Sequence, residues 1–222
     1  MTRLLIRKPS QFFQLAVAIY VLLLSGCAST GGYISGQVLD TDTREPIPDV
    51  HVIINWEGGE FALVDTQTVC VYADGTLTDE NGTYRFPPWI KPDGFPVGPV
   101  RSHIYVYKPG YEEARLRRKP KDDPYLLKYV QESRKARFEY LSHIPQRTSC
   151  HEGGESQKNL FPLYEAVYYE AKVLAVSGEE KKKLEWFREV AASAAISDDN
   201  ENDMTLTEYN NLINEYLKDN LQ

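Results

Sequence analysis

The periodicity of this chain changes once, close to residue 123, and that change limits what it can fold into. Before it, short β-branched and aromatic runs (34–40, 50–56, 66–72, 83–86 and 103–107) are divided by turn-forming segments such as Asp42-Thr43-Arg44-Glu45-Pro46 and Asp79-Glu80-Asn81-Gly82. Short strands punctuated in this way predict an antiparallel sandwich. After it, Leu160, Leu163, Tyr164, Val167, Tyr168, Ala171, Leu174 and Ala175 fall on one helical face. Strands followed by helices predict an α+β chain.

The helices can be bounded from their caps. Asp123 and Pro124 suit a helix start, which predicts a helix from 124 to about 140 with an uneven apolar stripe. Residues 142–158 read as a loop holding Cys150 and Gly153-Gly154, with Asn159 capping the periodic helix and Pro162 in its first turn. Ser177-x-x-Glu180 is a capping box that opens a third helix, with Leu184, Phe187 and Ala191 facing inward. Thr205-x-x-Glu208 opens a fourth, with Tyr209, Ile213 and Tyr216 inward. Residues 119–124 are too short a link for the two halves to move freely. The broad apolar face at 160–176 is therefore expected to pack on the β half.

The first residues carry an address. Arg3, Arg7 and Lys8 precede an apolar run at 15–24, and Ser25-Gly26 places two small residues before Cys27. This is the pattern of a secretory signal, and the run is too short for a membrane span of roughly 20 residues. An uncleaved anchor helix is the alternative. Leu24-Ser25-Gly26-Cys27 resembles the bacterial lipobox. The resemblance implies cleavage before Cys27 and acyl chains on Cys27 that hold the protein to a bilayer, since one chain alone binds only reversibly. By the same analogy Ala28, where retained lipoproteins commonly have Asp, implies the periplasmic face of the outer membrane.

Charge and cysteine count narrow the partners. Removing the first 26 residues takes away three basic side chains and no acidic ones, so the formal charge moves from −7 to −10. An acidic chain is a poor ligand for nucleic acid. Its longest basic stretch, Arg115 to Lys119, is flanked by Glu112-Glu113 and Asp122-Asp123 and reads as a solvated strand end. With Cys27 lipidated, Cys70 and Cys150 remain in an oxidising compartment, where disulfides persist. They are expected to pair if their Cα atoms come within about 7 Å; two buried free thiols are the alternative.

Four ordered blocks in the β half carry a further resemblance. They are Gly36-x-Val38-x-Asp40, Pro46-Ile47-Pro48-Asp49-Val50-x-Val52, Thr78-Asp79-Glu80-Asn81-Gly82-x-Tyr84-x-Phe86 and Lys108-Pro109-Gly110-Tyr111. Together they resemble the carboxypeptidase regulatory-like, or transthyretin-like, β-sandwiches. The resemblance implies a seven-stranded Greek-key sandwich over 33–118 with no catalytic residues of its own. On this reading residues 1–26 are the signal, 27–32 a lipidated tether and 123–222 a small helical domain that carries no family pattern. Asn81-Gly82 is expected to make a positive-φ hairpin turn. The chain departs from the family at a longer insertion, 61–76, and at the proline-rich loop 87–99.

No catalytic constellation emerges. His51, His103, His143 and His151 show neither His-x-x-x-His nor His-Glu-x-x-His spacing, so no metal site is expected. Cys150-His151-Glu152 places neighbours in sequence, and a catalytic pair normally meets from separate segments. Ser35, Ser142 and Ser156 lack a nucleophile elbow, and no phosphate-binding glycine loop exists. Asp198-x-Asn200-x-Asn202 imitates a calcium loop but has Asp203 where glycine is required and Tyr209 where the bidentate glutamate belongs. A hydrolase or sugar-binding module would need a polar pocket that no spacing here assembles. The expectation is a non-enzymatic lipoprotein without cofactors, binding an envelope protein, with Trp89 and Phe95 as candidate contact residues. An immunity-type lipoprotein that neutralises a periplasmic toxin is the alternative.

Overall fold

A computed structural model describes residues 29–61, 66–91, 97–113, 125–128, 133–150, 154–197 and 206–220. In chain order these form β1 (Ser29–Gly31), β2 (Ile34–Gln37), β3 (Leu39–Asp40), β4 (His51–Phe61), β5 (Thr66–Leu77), β6 (Thr83–Phe86), β7 (Trp89–Lys91), β8 (Val97–Tyr107), β9 (Tyr111–Glu113) and β10 (Tyr125–Lys128). The helices are α1 (Arg134–Thr148), α2 (Gly154–Leu174), α3 (Gly178–Ile196) and α4 (Leu206–Asn220). The chain is α+β as expected. Its described strands make four small open sheets, β5-β4-β8, β3-β10-β9, β2-β6 and β1-β7, rather than two continuous ones.

The antiparallel ladder β5-β4-β8 organises everything else because both of its faces are covered. Val52, Ile54, Trp56 and Val106 point to one side and pack with Val38, Ile47, Val50, Tyr84, Phe86 and Leu126 from the small sheets. Ile53, Ala73 and Tyr107 point to the other and join Phe138, Leu141, Leu160, Leu163 and Val167 of the helices. This explains the unbroken Val52-Ile53-Ile54 run: a strand buried on both faces has no polar side to alternate with. The helical and β halves therefore share one apolar cluster. Contact is close enough that a Cβ on Gly75 would lie 2.6 Å from the Asn159 carbonyl oxygen and 2.9 Å from Ile53 Cδ1.

The four sequence blocks meet at one end of this ladder. Thr78 is buried; its hydroxyl donates to the Ile47 carbonyl at 2.8 Å and accepts from the Val50 N–H at 2.9 Å. The Val38 N–H donates to the Gly82 carbonyl at 2.8 Å, and the Ile47 N–H donates to the Val38 carbonyl at 3.0 Å. Lys108 Nζ donates to the Pro48 carbonyl at 2.6 Å. Gly82 has φ +66°, and a Cβ there would stand 2.6 Å from the Val38 oxygen. The Asn81-Gly82 turn is thus left-handed as expected, but it does not close a hairpin. It carries the chain from β5 to β6, which pairs with β2.

Three other expectations are corrected. Residues 125–128 are a strand instead of a helix: β10 runs parallel to β3 and antiparallel to β9. Its Leu126 fills the β-side core, and its carbonyl accepts from the Thr41 N–H and hydroxyl. The helix starts later, at Arg134, where the Ser133 hydroxyl accepts from the Ala136 N–H at 3.2 Å. It runs to Thr148 and α2 begins at Gly154, so the two helices together take up most of the expected loop. Asn159 is therefore inside α2 and caps nothing; its amide donates to the Tyr72 hydroxyl and the Ala73 carbonyl. The expected tether pairs as β1 with β7, in the register Ser29↔Lys91, Thr30↔Ile90, Gly31↔Trp89. The segment expected to be an insertion extends the β4–β5 ladder, pairing Glu60 with Gln67 and Phe61 with Thr66.

Cys70 and Cys150 are joined, with Cα atoms 5.2 Å apart. A β-bulge prepares the bond. Trp56 pairs with Tyr72 and Glu57 with Cys70, so Val71 is the extra residue, and such an insertion re-aims its neighbours. Cys70 thereby packs against the helix-side cluster. The bridge spans 80 residues, for which loop-closure entropy gives roughly 4–5 kcal/mol as an upper figure. Cys70→Ser/Cys150→Ser, or reduction of the wild type, is expected to lower the melting temperature clearly. Superimposable melts with and without reductant would show that the bridge contributes nothing.

Candidate functional site

The most demanding polar cluster lies between the halves. Arg137 on α1 is 2% exposed, although it sits in the apolar stripe with Phe138, Leu141 and Ile144. Its Nε and Nη2 donate to the two carboxylate oxygens of Glu170 on α2, each at 2.8 Å. Nη1 donates to the Tyr111 carbonyl at 2.6 Å, and the guanidinium stacks on Tyr140. Glu170 also accepts from the Tyr107 hydroxyl at 2.7 Å and the Gly110 N–H at 3.3 Å. Burial and the Glu170 carboxylate push the Tyr107 hydroxyl far above the ordinary tyrosine range. Burial alone would lower the Arg137 pKa, but the hydrogen bonds and charge of Glu170 outweigh it and raise the value. Every strong donor and acceptor here has a protein partner, so the cluster clamps α1, α2 and the Lys108–Tyr111 turn.

Two concavities flank this interface. The one between β8 and the helices, lined by Ile53, Tyr105, Tyr140, Ile144 and Leu163, has a volume of about 20 Å³, room for roughly one water. The other is an open groove of about 780 Å³ among all four helices, within the size range of ligand clefts. Gln146, Gln157, Asn210 and Asn214 supply amides to its walls, and Trp186 and Arg188 supply an aromatic ring and a cation. Tyr164 lies at its floor, where burial raises the hydroxyl pKa to about 12 against the opposing hydrogen bond with Thr148. The groove offers hydrogen bonds and the rings of Trp186 and Tyr164, with the cation Arg188 beside the carboxylate Glu189.

The residues singled out from sequence fare differently. Cys27, Phe95, His151 and the Asp198–Asp203 segment lie outside the described residues. Trp89 packs its ring against Tyr72 and Trp56, with centroids 4.9 and 5.5 Å apart, and its Nε1 is buried without an acceptor among the described residues. That ring belongs largely to the core, and its neighbour Ile90 is exposed. His51 lies beside Tyr107, and His103 faces Glu57 at 3.4 Å. Ser142 and Ser156 are buried in helices, bonded to the Glu139 carbonyl and the Ala73 N–H. Among the described residues no three acidic, histidine or cysteine side chains gather as a metal site, and no helix is long and apolar enough to cross a membrane. Sequence reading missed both Arg137–Glu170 and the groove. The uneven stripe around residue 137 was the only trace of the first.

No protein-family model matches the chain, and neither the curated proteins nor the solved structures contain a significant match.

Removing one partner of a buried ion pair typically costs about 3–5 kcal/mol, because the other is left unpaired. Arg137→Met is expected to fall in that range, and Arg137→Met/Glu170→Gln to cost less than the two single changes added together. Strict additivity in chemical denaturation would show the two residues to be uncoupled.

Acid is expected to weaken the fold in two windows. Burial, with the charge of Lys108, lowers the His51 pKa from 6.5 to about 4 against the opposing pull of Asp49. The folded state therefore resists a proton that the unfolded chain accepts, so stability is intact above pH 6.5 and declines towards pH 4. Hydrogen bonds from Arg134 and from the Ser177 and Val176 N–H groups lower the Glu180 carboxyl from 4.5 to about 2. Its contribution is present above pH 4.5 and lost as pH falls towards 2. His51→Gln should flatten the first limb alone and Glu180→Gln the second alone. Unchanged pH profiles of the melting temperature in both variants would refute the assignment.

Proposed function

We propose that this protein is a non-catalytic lipoprotein, anchored by acylated Cys27 to the periplasmic face of the outer membrane, where it binds an envelope protein. The observation that carries this reading is the lipobox-like Leu24-Ser25-Gly26-Cys27 at the end of a short apolar run. The Cys70–Cys150 bridge supports it, since such bonds belong to oxidising compartments. The β half is a divergent transthyretin-like sandwich on this reading, which the convergence of the four blocks around Thr78 supports. The groove among the helices is the proposed binding site, with the amides and Trp186 as its contact groups. Tyr107 and Arg137 are bound to Glu170 and do not line that groove.

Two measurements test the proposal. Cys27→Ser is expected to abolish incorporation of radiolabelled palmitate and to release the protein from the membrane fraction. Label entering the variant as well as the wild type would sink the lipid assignment. A photo-crosslinking residue at Asn214 is expected to give discrete envelope adducts in cells, whereas one at exposed Val173 gives none. An adduct with an imported toxin would favour the immunity reading. Equal yields from both positions would remove the groove as the binding site.

A further inference from the structure

We propose that the β1–β7 ribbon lies in the membrane–water interface, with Ile90 set among the lipid headgroups, so that the protein sits directly on the bilayer. This rests on the reading of Cys27 as the lipid anchor. The argument begins with reach. Consecutive Cα atoms are 3.8 Å apart, so Cys27 lies at most about 7.6 Å from Ser29, the first residue of β1. The headgroup layer on each side of a bilayer is itself roughly 5–8 Å thick. Acyl chains rooted on Cys27 therefore bring the start of β1 to the headgroups, with only Ala28 between them.

The ribbon is fastened to the body, so it does not act as a slack leash. Three residues of β1 pair with β7. A Cβ on Gly31 would run into the Trp89 indole, which in turn packs on Trp56 and Tyr72. Because alternate residues of a strand face opposite ways, the inward Trp89 turns Ile90 outward, and Ile90 is 72% exposed. Thr30 stands across from it in the register. A large aliphatic side chain is thus presented to the outside one register pair from the end of β1 nearest the anchor. Val173, 82% exposed, lies instead on α2 and has no such link to Cys27.

The test uses the full-length lipidated protein in phosphatidylethanolamine–phosphatidylglycerol vesicles. Ile90→Cys and Val173→Cys are each labelled with a nitroxide. Cys27 is acylated on this reading, and Cys70 and Cys150 are already bonded to each other, so the introduced thiol is the one that reacts. Both positions are exposed, and substitutions there should leave the fold intact. The ratio of oxygen to nickel-chelate accessibility is expected to rise several-fold at position 90 on going from the unlipidated Cys27→Ser background to the vesicle-bound protein, and to stay constant at position 173. Vesicle-bound protein with an aqueous ratio at position 90 would overturn the inference and leave the lipoprotein reading standing. Protein that carries no acyl chain and does not float with vesicles would overturn both.

Discussion

A buried guanidinium sets the terms for the rest of the molecule. Arg137 faces the core, so its charge has to be met there, and Glu170 meets it from the neighbouring helix with two parallel hydrogen bonds. The pair fixes the register between α1 and α2. It also reaches into the β half through the Tyr111 carbonyl, the Gly110 N–H and the Tyr107 hydroxyl. Replacing such pairs with apolar residues is often neutral or even stabilising, so its value lies in specifying one docking geometry. The apolar cluster shared by the halves would tolerate small slips; a bidentate pair joined to three backbone or hydroxyl partners does not.

Around that clamp the same logic recurs at lower cost. Arg134 bonds Glu180 at 2.8 Å and also reaches the Leu174 carbonyl, tying the start of α1 to the end of α2 and the start of α3. Asn159 and Ser156 on α2 bond β5 through the Ala73 backbone, and Asn55 on β4 donates to the Thr148 carbonyl. Each contact pairs a side chain from one half with a backbone or side-chain group on another element. A cavity the size of a water lies within the interface. A larger groove lies farther out, among the helices.

What the sequence disclosed was local, and what it hid was assembled from a distance. The Ser177–Glu180 capping box depends on four consecutive residues, and both of its hydrogen bonds are present. The apolar face of α2 was legible because its polar and apolar sides differ. Cys70 and Cys150 could be paired by counting, whereas the bulge at Val71 that aims Cys70 could not. Tyr125-Leu126-Leu127-Lys128 has no strand character of its own; it is extended because β3 and β9 leave a vacant lane between them. Arg137 disguised α1 by putting a charge where the stripe demanded an apolar residue. The groove was invisible because each helix contributes only a few side chains to it.

The place of β10 has a consequence for how the chain matures. It is the last of the described strands, yet it lies between β3 and β9, both of which precede it in the chain. A chain emerging amino-terminus first, whether from a ribosome or through a translocation pore, therefore exposes an unfilled lane until residue 128 is free. During that interval two strand edges stand open, and the hole for Leu126 is wet. Open edges are the surfaces on which chains pair with the wrong partner. The vulnerable species of this protein is thus the nascent chain that stops just short of β10, and a holding factor acting on it would have to recognise unpaired backbone.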